Sequence, residues 1–292
     1  MRPGLFNRPG SFIVTGYNAA VDHLRHLNLQ LFQPAPALRN YVRHYWRIEC
    51  CSDPGLPSRL EYLASDGSAG ITLNLADAIT LDGWQSKQRC IIHGPRISTS
   101  TLELGDTSHT LGIRFWPGRA FHFLQEPIHE YLNQQEPTDS FSKRTAPQYL
   151  IEQLSECRSV AQQVEHLNQW LLSQLDFDNC VVPPAISFAV QTLCDTPQVP
   201  ISDLALKVGI STRQLERLFR HWVGLSPKRF GQIMRVRGLR EHMKQQNQTV
   251  SLADLAAEAG YVDQAHFNRE FKQVAGLTPG QYLKIKRTAT TN

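Results

Sequence analysis

The sequence predicts an α+β protein: a β-rich, barrel-like N-terminal domain, a helical connector, and an all-α C-terminal domain made of two similar helical units. Three observations carry this. The chain has 292 residues, about twice the length of a typical domain. Short β-branched and aromatic runs between turn clusters fill residues 29–130 and then give way to helical periodicity. A block of about 50 residues occurs twice in the last third, and self-similarity outranks composition as a signal.

Composition excludes several classes. With 41% hydrophobic and 19% charged residues the chain can bury a core and is not a disordered sequence. Its apolar runs fall far short of the roughly 20 residues that span a bilayer. The opening MRPGLFNRPGSF lacks the apolar region and cleavage site of a signal peptide. Cys50, Cys51, Cys90, Cys157, Cys180 and Cys194 show no C-x-x-C spacing, which fits reduced thiols in a cytoplasmic chain. The charge is lopsided: residues 183–292 hold 15 Lys and Arg against 8 Asp and Glu, and residues 1–182 hold 15 against 18. A basic C-terminal end points to a polyanion there.

Taken in order, residues 1–28 carry Pro3, Gly4, Pro9 and Gly10 and read as a flexible arm. In residues 29–130, the runs 41–50, 71–76, 90–94 and 109–118 are expected strands. Turn clusters at Ser52–Gly55, Ser65–Ser68, Asp82-Gly83 and Gly105-Asp106 separate them. Residues 131–182 form a helical connector; helical pattern already begins after Pro127. Leu150, Leu154, Val164, Leu167, Trp170, Leu171 and Leu175 mark its apolar faces. Leu154, Leu167, Leu171 and Leu175 could serve a two-fold contact or cover the β-rich core. Asp176–Pro184 reads as the linker to residues 183–290.

The duplicated units begin near Ile201 and Leu252. Each reads as helix, tight turn, helix. In the first, Ser202 or a neighbour caps a helix facing inward through Leu204, Ala205 and Val208, and Gly209 stops it. Ser211 caps a second helix buried through Leu215, Leu218, Phe219 and Trp222, and Gly224 ends it. The second unit repeats this with Leu255, Ala256, Ala259, Gly260, an Asp263 cap, Phe267, Phe271 and Val274. Phe230, Ile233, Met234, Val236, Leu239 and Met243 form one stripe of a long helix between the units. These are two helix-turn-helix motifs joined by a rod that can hold two recognition helices about one DNA turn apart, about 34 Å.

The outer face of each second helix carries the candidate DNA-binding residues. They are Ser211, Thr212, Arg213, Glu216, Arg217 and Arg220 in the first unit, and Gln264, Ala265, His266, Arg269 and Lys272 in the second. Arg suits bidentate contact with guanine, Glu can accept from cytosine, and Ser211 with the helix amides suits a phosphate. A merely solvated face would also be polar, but Arg217 and Arg269 occupy the same slot of the repeat, which favours contact.

The C-terminal part resembles the DNA-binding domain of the AraC/XylS family of transcriptional regulators. The resemblance rests on Gly209-Ile210-Ser211 with Arg213, Leu215, Arg217 and Phe219; on Gly224 to Pro227; on Gly260-Tyr261 with Asp263, Phe267, Arg269, Phe271 and Lys272; and on Gly276 to Pro279 followed by Tyr282. It implies seven helices, promoter binding, and base-facing positions at Arg213, Glu216, Arg217, Ala265, His266 and Arg269. Ala265 departs from the larger polar residue common in its slot, so the second motif is expected to read fewer bases. Pro36-Ala37-Leu38, Tyr41-Val42, Tyr45-Trp46, Ser65-Asp66-Gly67, Gly112 to Phe115 and Pro117-Gly118 are similar to an uncharacterised β-rich domain that accompanies some AraC-type regulators. Ser65 stands where a proline is commoner. That resemblance implies effector binding and self-association for the first half.

No catalytic residue, cofactor or metal is expected. His93, His109, His122 and His129 lack an H-x-H pair with a following Glu, the cysteines lack zinc spacing, and no G-x-S-x-G elbow occurs. The expectation is a transcriptional regulator, activator or repressor, whose partner is double-stranded promoter DNA. RNA polymerase, a small-molecule effector and a second copy of the chain are the further partners this reading allows; a membrane is not. The competing readings are a purely structural or dimerising N-terminal domain, and an enzyme domain tethered to a DNA-binding module.

Overall fold

The computed structural model describes residues 28–51, 60–104, 107–138, 147–175, 182–245 and 251–290. Apart from Asn28, the expected arm lies outside the described residues, as do the turn clusters at 52–55 and 105–106, the linker stretch 176–181 and Cys180. None of the described helices is long and apolar enough to cross a membrane.

Among the described residues, nine strands form two sheets. The larger has the order β1 (Gln30–Phe32), β2 (Val42–Cys51), β8 (Thr107–Phe115), β4 (Gly70–Asn74), β6 (Cys90–His93) and β9 (Gln135–Pro137), all antiparallel. The smaller is β3 (Leu60–Leu63), β7 (Ser100–Glu103) and β5 (Thr80–Leu81). The four expected runs are β2, β4, β6 and β8. The sheet also takes in β9, beyond residue 130, because Gln135 to Pro137 pair with Ile91 to His93.

Alternation along β2 assigns the faces of the large sheet. Tyr45 joins a core with Leu111, Ile113 and Phe115 that is covered by α2 (Pro147–Glu156) and α3 (Val160–Gln174). Its hydroxyl donates to Asn168 Oδ1 at 2.9 Å, and the Ala35 amide donates to the same oxygen, pinning α3 to the sheet. Trp46 and Ile48 belong to a smaller cluster with Leu63, Leu81 and Leu102 from the other sheet. Trp46 pairs across the strands with Gly112, and only the missing side chain there makes room for the indole: a Cβ would lie 1.9 Å from Trp46 Cε2.

Two expectations need correction here, and a third gains detail. Leu154, Leu167, Leu171 and Leu175 are buried in the sheet-and-helix core, so they cover the β-rich domain and are not exposed for a two-fold contact. After Pro127 only a 3-10 turn forms at Ile128–Tyr131, because the left-handed backbone at Asn133, φ 57°, turns the chain back into the sheet. The run from residue 147 is two helices, separated where Ser159 accepts from the Gln162 amide and starts α3 afresh.

The single turn α1 (Phe121–Leu124) precedes that 3-10 turn. The C-terminal domain consists of α4 (Pro184–Asp195), α5 (Ile201–Lys207), α6 (Thr212–Val223), α7 (Pro227–Gln245), α8 (Leu252–Glu258), α9 (Gln264–Ala275) and α10 (Pro279–Thr290), the seven helices the resemblance implied. The expected stripe of α7, from Phe230 to Met243, is buried throughout. Ser202 does not cap α5: the helix starts after Pro200, which places Ser202 inside the first turn, with its hydroxyl directed at Asp203.

The halves pack on one another. Ile97, Phe121 and Leu132 of the first half join the core of the helical domain. The Phe121 ring lies 4.5 Å from that of Trp222 on α6. Asp66 is the buried pivot of the turn that touches α7. Burial alone would raise its pKa, but the Arg114 and Arg43 guanidiniums and the bonds from Arg114 and the Ser68 amide outweigh burial. The carboxyl is held well below the usual range. Beside it Gly67, φ 68°, presses against Phe230, where a Cβ would sit 2.8 Å from the ring. The expected turn is thus also an interdomain contact.

Candidate nucleic-acid interface

Each recognition-type helix is built by the same local chemistry. Ser211 Oγ accepts from the Gln214 amide at 3.2 Å to start α6, and Asp263 Oδ1 accepts from the His266 amide at 2.6 Å to start α9. Gly224 and Gly276 end them in left-handed conformation, φ 84° and 77°. Leu215 and Phe219, then Phe267 and Phe271, are fully buried on the inner face.

The outer faces are where the sequence placed them. Ser211, Thr212, Arg213, Glu216, Arg217 and Arg220 are exposed, and so are Gln264, Ala265, Arg269 and Lys272. His266 differs: it is half-buried, edge-on to Tyr261 at 5.3 Å, with Nε2 3.8 Å from Glu270 Oε2. The exposed amino-terminal turn of α6 thus presents two arginines and a glutamate, and that of α9 presents shorter or partly engaged side chains. The connecting α7 has 19 residues, about 28 Å at 1.5 Å each, close to one turn of DNA.

A polar network not singled out from the sequence fixes α9 on α7. Glu270 is buried, receives Arg235 Nη2 at 2.9 Å, and accepts from Tyr261 Oη at 2.8 Å and Gln232 Nε2 at 3.2 Å. The Arg235 guanidinium also lies over the Tyr261 ring at 4.4 Å. The signal existed in the repeat: Glu270 falls in the slot of Leu218, a charge where an apolar residue packs in the first unit. A carboxylate in an apolar slot needs a buried cation.

The first unit is held differently. The end of α6 abuts the β-rich half, where Gly224 leaves room for Pro95 and Ile128. His221 and Trp222 lie 4.8 and 4.5 Å from the Phe121 ring. The loop after β6 also reaches the second unit, through the Thr99 amide donating to the Val274 carbonyl of α9 at 2.8 Å. The four candidate histidines of the first half do not assemble, and no group of three metal-ligating side chains occurs among the described residues.

Two family models match the chain: a helix-turn-helix domain over residues 204–285 and a domain of unknown function, DUF6597, over residues 30–137. Curated relatives include the HTH-type transcriptional regulator GbdR of Pseudomonas aeruginosa, 32% identical over 81 residues, 28% of this chain and 22% of that protein. Another is the virulence regulon transcriptional activator VirF of Yersinia enterocolitica, 31% identical over 91 residues, 31% of this chain and 32% of that protein. The match therefore spans less than a third of either relative. Among solved structures, an AraC-type regulator from Chromobacterium violaceum is 25% identical with a TM-score of 0.32, over 35% of this chain and 92% of that one. ToxT from Vibrio cholerae O395 is 12% identical with a TM-score of 0.41, over 88% and 97%. With its paired helix-turn-helix units behind a DUF6597 domain, the chain is similar over its C-terminal part to AraC-type transcriptional regulators.

Proposed function

We propose that this chain is a sequence-specific regulator that grips promoter DNA through both helix-turn-helix units and is modulated by a small molecule bound in its β-rich half. The observation that carries the reading is the pair of exposed, similarly capped helices at the two ends of one rigid helix. Arg213, Glu216 and Arg217 read bases; Arg269 reads a base in the second site with lesser help from Ala265 and His266. Ser211, Thr212, Arg220, Gln264 and Lys272 serve phosphates and flanking positions. The β-rich half extends through β9, the connector covers it, and the DNA-binding domain begins with α4. It acts in the cytoplasm, without catalysis or a cofactor. RNA polymerase contact, and self-association through a surface other than the connector leucines, belong to the same reading.

Selection of bound sites from a random DNA library tests it. The expected product is a bipartite site with stronger base preference in one half. Arg217→Ala relaxes one or two positions at about 1–3 kcal/mol for a lost bidentate pair, and Lys272→Ala weakens all sequences alike. An unchanged preference in Arg217→Ala combined with an altered one in Lys272→Ala would refute this assignment of the faces.

A further inference from the structure

The loop that joins β6 to β7, residues 94–99, passes from the large sheet to the small one and meets both helix-turn-helix units on the way. Pro95 lies against Gly224, the residue that ends α6: a Cβ there would sit 2.7 Å from Pro95 Cγ. Four residues on, the Thr99 amide donates to the Val274 carbonyl in the last turn of α9 at 2.8 Å, and the Thr99 hydroxyl donates to the same oxygen at 3.2 Å. Between these contacts Ile97 packs against the helical core. The Val274 carbonyl is one of those that a helix leaves without an internal partner in its last turn, so the loop supplies a donor that α9 lacks. Four residues span at most about 14 Å. One short stretch therefore holds the carboxyl ends of both recognition helices.

The loop is stiff enough to hold them. The Gly94 amide donates to the Gln134 carbonyl at 3.2 Å, the Asn133 amide to the Pro95 carbonyl at 3.0 Å, and the Ile97 amide to Asn133 Oδ1 at 3.0 Å. The Ser65 hydroxyl donates to the Arg96 carbonyl, and Arg96 Nη1 meets Asp82 Oδ2 at 2.9 Å. Each recognition helix has 12 residues, about 18 Å at 1.5 Å each, and its base-facing side chains lie at the end away from the loop. A tilt of about 10° about the held end moves the other end by about 3 Å, close to the rise of one base pair. α7 sets the distance between the units. The second unit meets α7 partly through polar bonds from Arg235, Gln232 and Arg229, and packed helices of this kind slide by small amounts.

We propose that loop 94–99 is a brace that fixes the tilt of α9 relative to α6, so that the β-rich half sets the spacing between the two half-sites the chain reads. Pro95 and Thr99 are positioning residues: they act through the helix ends they hold. This rests on the reading of the chain as gripping DNA through both units. One inserted base pair moves the second half-site by about 3.4 Å and turns it about 34° around the duplex. A braced pair of helices cannot follow that displacement, and a loosened pair follows it in part. Rigidity of this kind lowers the ordering cost of binding the matched site and penalises the others.

Fluorescence anisotropy of the full chain on duplexes whose selected half-sites are moved by one or two base pairs reads the brace. The unaltered chain is expected to lose at least tenfold in affinity for one inserted base pair. Thr99→Pro removes both donors to Val274 and should reduce that loss to threefold or less, while binding to a duplex with the first half-site alone stays the same. Thr99→Val keeps the amide and should retain the full loss. Hydrogen exchange in β2 and β8 reports whether each variant is folded. If Thr99→Pro is not, Pro95→Ala, which withdraws the ring from Gly224, carries the same test and should bring the loss below fivefold. A contact that only stabilises the fold would lower affinity at every spacing alike. That result, or an undiminished loss in the folded variant, overturns the brace. A flat spacing profile in the unaltered chain overturns the brace alone, whereas failure to bind any bipartite site overturns the DNA-gripping reading beneath it.

Discussion

Glu270→Ala is the substitution that most directly tests how the second helix-turn-helix unit is held. The Glu270 side chain is 3% exposed and that of Arg235 15%. Removing the carboxylate leaves a mostly buried guanidinium against the Tyr261 ring, with no acceptor among the described residues, and strips the acceptor from the Tyr261 hydroxyl and the Gln232 amide. Breaking a buried pair by deleting one partner costs about 3–5 kcal/mol, chiefly through the stranded charge. The other polar ties of α9, Thr99 to Val274 and Arg229 to Gln273, do not pass through Glu270 and stay in place, so the cost falls on local opening of this unit. At 1.4 kcal/mol per factor of ten, amide exchange in α9 should accelerate by about two to three orders of magnitude. Exchange in the strands β2 and β8 should not change. Glu216→Ala, an exposed glutamate on α6, is the control and should change exchange little. Hydrogen exchange read by mass spectrometry on α9 peptides gives the answer. An acceleration below tenfold would mean that Arg235 finds solvent or another partner readily, and the network would then be no more than a surface ion pair.

Three further outcomes follow from the structure. Gly112→Ala puts a Cβ 1.9 Å from the Trp46 indole, so it should destabilise the β-rich half by about 1–3 kcal/mol, and a thermal melt checks it. His44 is 2% exposed, and burial, with Arg43 and Arg114 nearby, lowers its pKa to about 3. The unfolded chain then takes up a proton below pH 6.5 that the folded one refuses. Urea midpoints should show about 2 kcal/mol of stability lost from this residue between pH 7 and 5, while the Asp66 contribution stays intact there because its pKa lies lower still; a His44→Gln chain with the same pH slope would contradict this. Finally, DNA affinity should fall with salt at a slope near −5 if about six phosphates are neutralised, and a flat dependence in fluorescence anisotropy titrations would remove the phosphate contacts.

The C-terminal domain was legible because its constraints are local and written twice. A capping oxygen, a left-handed glycine and an apolar spacing of three and four each act within a few residues, so Ser211, Gly224, Asp263 and Gly276 could be read without knowing what they pack on. The β-rich half was legible where an apolar or β-branched run marked the strand, in β2, β4, β6 and β8. β3, β5, β7 and β9 have four residues or fewer, too short for alternation to register, and their pairing depends on partners far along the chain. Asp66 read only as part of a turn, because Asp-Gly signals a turn wherever it occurs; its burial depends on Arg43 and Arg114, 23 and 48 residues away. The connector leucines were correctly found to be on apolar faces, but periodicity cannot tell a face that covers its own sheet from one that meets a second chain. Arg237, Arg240 and Lys244 looked like the polar side of a rod, and only the packing of the halves turns that side into the wall of a cavity.

The docking of the first unit on the β-rich half can be measured separately from backbone strain, because the repeat supplies its own control. Gly224 and Gly276 end equivalent helices with φ 84° and 77°, so alanine pays the same left-handed penalty at each, about 1–2 kcal/mol. Their surroundings differ. A Cβ at Gly276 meets nothing within 4 Å, whereas one at Gly224 lies 2.7 Å from Pro95 Cγ and 2.9 Å from the Ile128 carbonyl oxygen. The carbonyl belongs to a 3-10 turn and Pro95 to a loop whose carbonyl is bonded by the Asn133 amide at 3.0 Å, so neither retreats freely. Gly224→Ala should therefore cost about 1–3 kcal/mol more than Gly276→Ala, and the excess should vanish when the C-terminal domain is separated from the β-rich half in a background where both domains stay folded. Equal costs for the two alanines in the intact chain would show that α6 is not pressed against Pro95 and Ile128. The loop would then have no hold on the first unit.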